Sequence, residues 1–227
     1  MTRMLEWVRL PNNWIEDGDL KAFRWRGGAG SREAAALMVL MVIAHRADQE
    51  TGLARITYVG FGNATQLSKT LIAGGLAVLA KRGVIEREPE GRSTYRLAAF
   101  EPNAHYAKLP ARRMYAGDVV TAFRHLNLRK AAELHALKLY FLFASRRGND
   151  TNMANISYDK IAQYTEIDRE GIKAGLNVLA VNGLIHIEQL PSVTSQYGVS
   201  NGYRLVGIDS YNHSGTRGRG RDAADFF

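Results

Sequence analysis

Apolar positions recur with a helical period in two kinds of stretch. From Ala34 to Ala44 nearly every position is apolar, which predicts a central helix buried all round. Ser31 is the expected N-cap, and the helix should run to about Arg46. Farther on, Ile72, Gly75, Leu76 and Leu79 fall at i, i+3, i+4 and i+7, the spacing that turns one stripe of a helix toward a core. Ser68 is set to cap that helix and Gly83 to end it. A shorter helix capped by Thr57 comes before it, and a two-stranded hairpin closing at Tyr95-Arg96-Leu97 comes after. At the amino end, Trp7-Val8-Arg9-Leu10-Pro11 reads as extended chain, because the residue before a proline is pushed out of helical space. Lys21 to Arg26 reads as a short strand or turn, and Gly27-Gly28-Ala29-Gly30 as a break.

The whole series occurs twice. Tyr106-Ala107-Lys108-Leu109-Pro110 mirrors Trp7–Pro11 as an aromatic-x-basic-Leu-Pro segment. From Ala36/Ala136 to Glu88/Glu188 an offset of 100 residues holds without a gap, and about a third of the positions are identical. A match of that length marks an internal duplication. The second copy has Ser157 and Asp168 as caps, a stripe of Ile172, Gly175, Leu176 and Leu179, and a stop at Gly183. Its hairpin closes at Tyr203-Arg204-Leu205, an offset of 108, so it carries about eight more residues around Pro191–Gly198. The second copy also promises the sounder short helix. Gly60 and Gly62 lie inside the first, each costing roughly 1 kcal/mol relative to alanine, where the second has Lys160 and Ala162. The expected units are residues 1–100, residues 101–211 and a tail of residues 212–227.

The helix face opposite each stripe must point away from the core. In the second copy it carries Arg169, Glu170, Lys173, Ala174 and Asn177. Arginine pairs bidentately with guanine and asparagine with adenine, and a small alanine permits close approach to a groove. In the first copy the same face carries Lys69, Thr70, Ala73, Gly74 and Ala77, suited to phosphate contact more than base reading. The pattern Ser/Asp-x-x-x-Ile-x-x-Gly-Leu-x-x-Leu-x-x-x-Gly-Val/Leu-Ile, followed by a hairpin ending in Tyr-Arg-Leu, resembles the winged-helix superfamily over almost all of residues 7–208. Two copies in tandem, each opened by the aromatic-x-basic-Leu-Pro segment, look like replication initiators and regulators carried by bacterial plasmids and integrative elements. The resemblance implies an α+β, helix-rich fold of two tandem winged helix-turn-helix modules. It also implies that the longer helix of each copy enters a major groove while the hairpin lies on the backbone or minor groove. The implied DNA contacts are Lys160, Arg169, Glu170, Lys173 and Asn177 in the second copy, Lys69 and Thr70 in the first, and Arg96 and Arg204 in the hairpins. The first copy would contribute dimerisation, backbone contacts or a partner surface.

Charge agrees with that direction. Thirty Lys and Arg against 22 Asp and Glu give +8, which favours a polyanionic partner. Lys108, Arg112, Arg113, Arg124, Arg129 and Lys130 enclose a single acid, Asp118; they form either a connector that touches phosphate, with Arg112 and Arg113 as contacts, or a solvated face. The tail, with Arg217, Arg219 and Arg221 among glycines, cannot build a core and is expected to be disordered. Those arginines either add non-specific nucleic-acid affinity or only keep the tail soluble. Its end, Asp222-Ala223-Ala224-Asp225-Phe226-Phe227, is similar to the docking tails of replication proteins, with Phe226 and Phe227 as the partner contacts.

Other chemistry finds little footing. The absence of cysteine excludes disulfides and thiolate metal sites, and the six histidines show no metal-ligand spacing. His45 and His135 fall on the central helices and read as helix-face residues. Gly60-Phe61-Gly62-Asn63-Ala64-Thr65 lacks both the third glycine of a dinucleotide loop and the Gly-Lys-Ser/Thr of a phosphate loop. The expectation is therefore no enzyme, no cofactor and no metal. The first residues lack the apolar core of a signal peptide, and Ala34–Ala44 is shorter than the roughly 20 residues that span a bilayer, so a cytoplasmic protein with no membrane partner is expected. The function expected is sequence-specific binding of double-stranded DNA for a mobile element, as replication initiator or transcriptional regulator. The alternative is an interaction subunit of a larger nucleoprotein complex with only non-specific DNA contact. Oligomeric state stays open between a homodimer and a monomer whose two modules already mimic one.

Overall fold

Each copy of the repeat folds around one close helix crossing. The computed structural model describes residues 4–149, 151–191 and 199–208, and its fold is mixed α/β and helix-rich. The first half runs β1 (Trp7–Pro11), α1 (Asn13–Glu16), α2 (Gly30–Arg46), β2 (Leu53–Arg55), α3 (Tyr58–Thr65), α4 (Lys69–Lys81), β3 (Ile85–Arg87) and β4 (Thr94–Leu97). The second runs β5 (Tyr106–Pro110), β6 (Tyr115–Ala116), β7 (Val119–Val120), α5 (Ala131–Arg146), β8 (Met153–Asn155), α6 (Tyr158–Thr165), α7 (Arg169–Val181), β9 (Ile185–Pro191) and β10 (Val199–Leu205). α4 crosses α2 at Gly75, where a Cβ would lie 2.9 Å from the Ala36 backbone nitrogen. α7 crosses α5 at Gly175 in the same way, 3.1 Å from Ala136 N. Glycine interrupts each apolar stripe because the two backbones touch there.

The local signals act as read. Thr57, Ser68, Ser157 and Asp168 each accept a backbone N–H three residues on. Thr65 and Thr165 close the turn between the paired helices identically: each hydroxyl donates to the carbonyl four residues back and accepts the N–H two residues on. In each half the last strand is central, giving sheets ordered β2-β4-β3 and β8-β10-β9, all antiparallel. β9 and β10 have seven residues each, against three and four in β3 and β4.

One expectation needs correction. Ser31 is not the cap of α2: the helix begins at Gly30, with Ala29 at the N-cap and no side-chain cap. The Trp25 indole covers Gly30 so closely that a Cβ there would sit 2.4 Å from the ring, and this packing sets the start. Of the strand or turn expected over Lys21–Arg26, a turn begins the stretch: Asp19–Ala22 forms a single 3-10 turn before an extended Phe23. α3, with its two glycines, and α6 each span eight residues. Phe61, fully buried and edge-on to Tyr95 at 5.4 Å, anchors α3. The Pro191–Gly198 hairpin insertion, apart from Pro191 at the end of β9, and the tail from residue 212 lie outside the described residues.

The two halves are joined about an approximate two-fold axis. β1 pairs antiparallel with β5 in the register Trp7↔Pro110, Arg9↔Lys108 and Pro11↔Tyr106. Each aromatic-x-basic-Leu-Pro segment thus meets its own repeat, with the central basic residues opposite one another. Trp7 and Tyr106 stack at 6.0 Å, capped by Lys108 Nζ, 4.1 Å from the Trp7 ring, and by the Arg9 guanidinium, 5.3 Å from Tyr106. The segments after these strands cross over. α1 and the 19–22 turn pack on α5 and α6, with Trp14 edge-on to Phe141 at 6.0 Å. In return β7 packs on α3, and the Tyr115 hydroxyl lies 3.0 Å from His45 Nδ1. α2 and α5 also touch, so one apolar cluster runs through both halves. By length and composition Gly27–Arg46 is apolar enough to cross a bilayer, but 67% of its most apolar window is buried inside this cluster.

Lys138 fastens the crossing. It is 3% exposed on α5 and donates to Phe23 O at 2.8 Å and Thr165 O at 2.6 Å, tying the first half's arm to the second half's helices. Burial lowers its ammonium from 10.5 to about 8, against the opposing pull of Glu166. The folded pKa lies below the unfolded one, so between about pH 8 and 10.5 the unfolded chain holds more protons and stability rises with pH. Lys138→Met copies Met38 at the equivalent place and removes that dependence. In urea titrations, the stability of the wild type relative to Lys138→Met should improve by roughly 2–3 kcal/mol between pH 7 and pH 10.

Candidate nucleic-acid interface

The outward face of α7 is set by the caps and stripe behind it. Asp168 Oδ1 accepts the Gly171 N–H at 2.7 Å and starts the helix, and Ile172, Gly175, Leu176 and Leu179 are buried. Arg169, Glu170, Lys173, Ala174 and Asn177 are consequently all exposed together. The Arg169 guanidinium lies 5.5 Å from the Tyr158 ring of α6, which pre-orders it at modest cost. Glu170 pairs with Lys173 at 3.0 Å, with both side chains more than half exposed, so the pair is weak and exchangeable. Lys160 is exposed near the start of α6. The arrangement offers cations, a carboxylate acceptor and an amide along one helix, all free of the core.

α4 presents the equivalent face with little on it. Lys69, Thr70 and Ala77 are exposed, and Ala73 and Gly74 are half-buried. Val59, on the neighbouring α3, is 66% exposed where the second half has Asp159.

The four remaining arginines of the sequence-predicted site are not gathered with these. Arg204 donates to Glu188 at 2.5 Å and to Thr151 O at 2.5 Å, and its side chain is 14% exposed. It braces β10 against its neighbours. Arg96 does the same in the first hairpin, reaching Glu86 at 3.2 Å and Glu90 at 3.1 Å. Arg112 pairs with Glu6, and Arg113 approaches the same carboxylate at 3.8 Å; together they clamp the connector to the residues before β1. The basic cluster is divided further. Lys108 covers Trp7, Asp118 pairs with Arg46 at 3.6 Å, and the Glu133 carboxylate collects the backbone N–H groups of Asn127, Arg129 and Lys130. Phe226 and Phe227 lie outside the described residues.

Two buried groups escaped the pattern reading. Lys138 is one; a charge inside the apolar run Leu134–Ala144 was the available signal. It lines a cleft of about 280 Å³ with Phe23, Arg24, Trp25, Ala131, His135 and Glu166, of which Arg24 and Glu166 form an ion pair. His45 is the other. It lies on the central helix as read, but on a buried face, and burial lowers its pKa to about 3. Among the described residues no three His, Asp or Glu gather as a metal site needs. No family model matches the chain, and no curated protein matches it.

Because Arg204 is bound within its sheet, Arg204→Ala should act on folding. A loss of roughly 2 kcal/mol in unfolding free energy is expected for a partly buried charge-assisted pair. Denaturant titration measures it, and unchanged stability would return Arg204 to the solvent-facing group.

Proposed function

We propose that this protein is a sequence-specific binder of double-stranded DNA built from two winged helix-turn-helix modules, in which α7 reads bases. The observation that carries the reading is the joint exposure of Arg169, Glu170, Lys173, Ala174 and Asn177 on the one face of α7 that no core contact uses. Arg169 is suited to guanine O6 and N7, Asn177 to adenine N6 and N7, and Glu170 to the cytosine amino group. Eight residues separate Arg169 from Asn177, about 12 Å along the helix, so the readers span roughly three to four base pairs. The longer β9–β10 hairpin is suited to lie on the adjoining backbone, and the net charge of +8 supplies the salt-dependent attraction common to all sequences.

The approximate two-fold axis through Arg9 and Lys108 supports a further feature of the target. α4 and α7 are related by it, so the two half-sites run in opposite directions and are unequal in sequence demand. The tandem arrangement and its resemblance to plasmid and integrative-element proteins favour service to a mobile element, as replication initiator or transcriptional regulator. A specific observation favours one variant of this reading for the first half: exposed Val59 and the small residues of α4 suit attachment more than base reading.

Duplexes selected from a randomised pool, followed by gel shifts with competitor, test the proposal. Arg169→Ala should weaken binding about 10- to 100-fold and relax the preference at one base pair. Binding that depends on salt alone and is unchanged in Arg169→Ala would refute it.

A further inference from the structure

We infer that Arg32 is a phosphate-contacting residue of the first half, carried across the outward face of α4 by Gly74. The inference rests on the duplex-DNA reading and adds to it a contact that comes from α2 rather than from the recognition helix itself.

Gly74 stands between Thr70 and Ala77 on the side of α4 that faces away from the core. A Cβ built there would fall 3.1 Å from Arg32 Cγ and 3.2 Å from Arg32 Cδ. The aliphatic stem of Arg32 therefore fills the space where a side chain of α4 would be, and long basic side chains cover such surface while keeping the charged head in water. The repeat sharpens the point. At the equivalent positions the second half has Ala174 on α7 and Ala132 on α5: no vacancy and no arginine. α7 carries its cations, Arg169 and Lys173, in its first turns, whereas the outward face of α4 has Lys69 at its start and Lys81 only at its far end. Arg32 places a cation beside the middle of that face.

The guanidinium is also uncommitted. Arg24, Arg46, Arg55, Arg82 and Arg96 of the same half each have a carboxylate partner. Glu33, next to Arg32, is engaged with Arg82 at 2.7 Å, and among the described residues no carboxylate pairs with Arg32. Its approach from α2, at the flank of α4, fixes the chemistry. In helix-turn-helix docking the recognition helix fills the groove while the preceding elements meet the backbone, so a side chain entering from the flank meets phosphate before base edges.

Two variants test this on the full chain with a selected duplex. Arg32→Ala removes the cation. Gly74→Ala leaves it in place but crowds its stem away, and alanine is the better helix former, so this variant should fold at least as well as the wild type. Arg32→Ala should weaken binding about fivefold at 0.15 M salt, uniformly across sequences, and lower the salt slope by about one; Gly74→Ala, which asks the Arg32 stem to give by only a few tenths of an ångström, should weaken it less and in the same uniform way. The double variant should lose no more than Arg32→Ala alone, because both act through one contact. Unchanged affinity and slope in Arg32→Ala, while Arg169→Ala still fails, would overturn the inference and leave the DNA reading standing. A loss confined to one base pair would overturn the phosphate assignment. If the wild-type protein selects no duplex, the DNA reading falls and takes the inference with it.

Discussion

The pairing of Trp7–Pro11 with Tyr106–Pro110 is the contact on which the rest of the molecule depends. Its register sets each segment against its own repeat, which creates the approximate two-fold axis and directs the following segments across it. The Trp7–Tyr106 stack, with Lys108 against the Trp7 ring and Arg9 against the Tyr106 ring, adds cation–π contacts of about 0.5–1 kcal/mol each at exposed sites. The larger consequence is topological. Phe23 and Trp14 complete the surroundings of α5, and Tyr115 completes those of α2, so the interior of each half contains the other half's arm. A duplicated chain folded in this way is a dimer made covalent.

The duplication has kept what the interior demands and released what solvent tolerates. Gly75 and Gly175 and the Thr65 and Thr165 turns keep their residues because backbone contact and buried hydrogen bonds leave no latitude, while the exposed caps keep only their role, Thr57 against Ser157 and Ser68 against Asp168. At the arm crossing the two halves use different chemistry for one task. Arg82 holds Ala22 O and Glu33 in the first half, where the equivalent Asn182 of the second instead bonds back to Val178 O. Lys138 occupies the place of Met38 and bolts the arm from the other side. On the outward faces the copies diverge: Thr70, Ala73, Gly74 and Ala77 on α4 stand where α7 has Glu170, Lys173, Ala174 and Asn177.

Most of the local structure could be read in the sequence because its causes are local. Stripes at i, i+3, i+4 and i+7, hydroxyl and carboxylate caps and the terminal glycines all act within one helix. The strand pair could not be read, since its partners lie about 100 residues apart and an extended Leu-Pro segment says nothing about what it meets. Ser31 misled because tertiary packing by Trp25, and not the cap, sets the start of α2. Arg96 and Arg204 misled for a related reason. Their position at the end of a hairpin suggests a solvent-facing wing, while the glutamates that claim them sit on the neighbouring strand, visible only once the register is known. Exposure of the α7 face, by contrast, followed directly from the stripe opposite it.

Affinity cleavage asks directly whether two modules related by a two-fold axis face one duplex. The chain has no cysteine, so Thr70→Cys and Glu170→Cys give single attachment points for a DNA-cleaving reagent at equivalent positions on α4 and α7. On one selected duplex, the account predicts two cleavage patterns that are mirror images about a point between them, about one helical turn apart. Two patterns of the same strand polarity, or cleavage from Glu170→Cys alone, would contradict it.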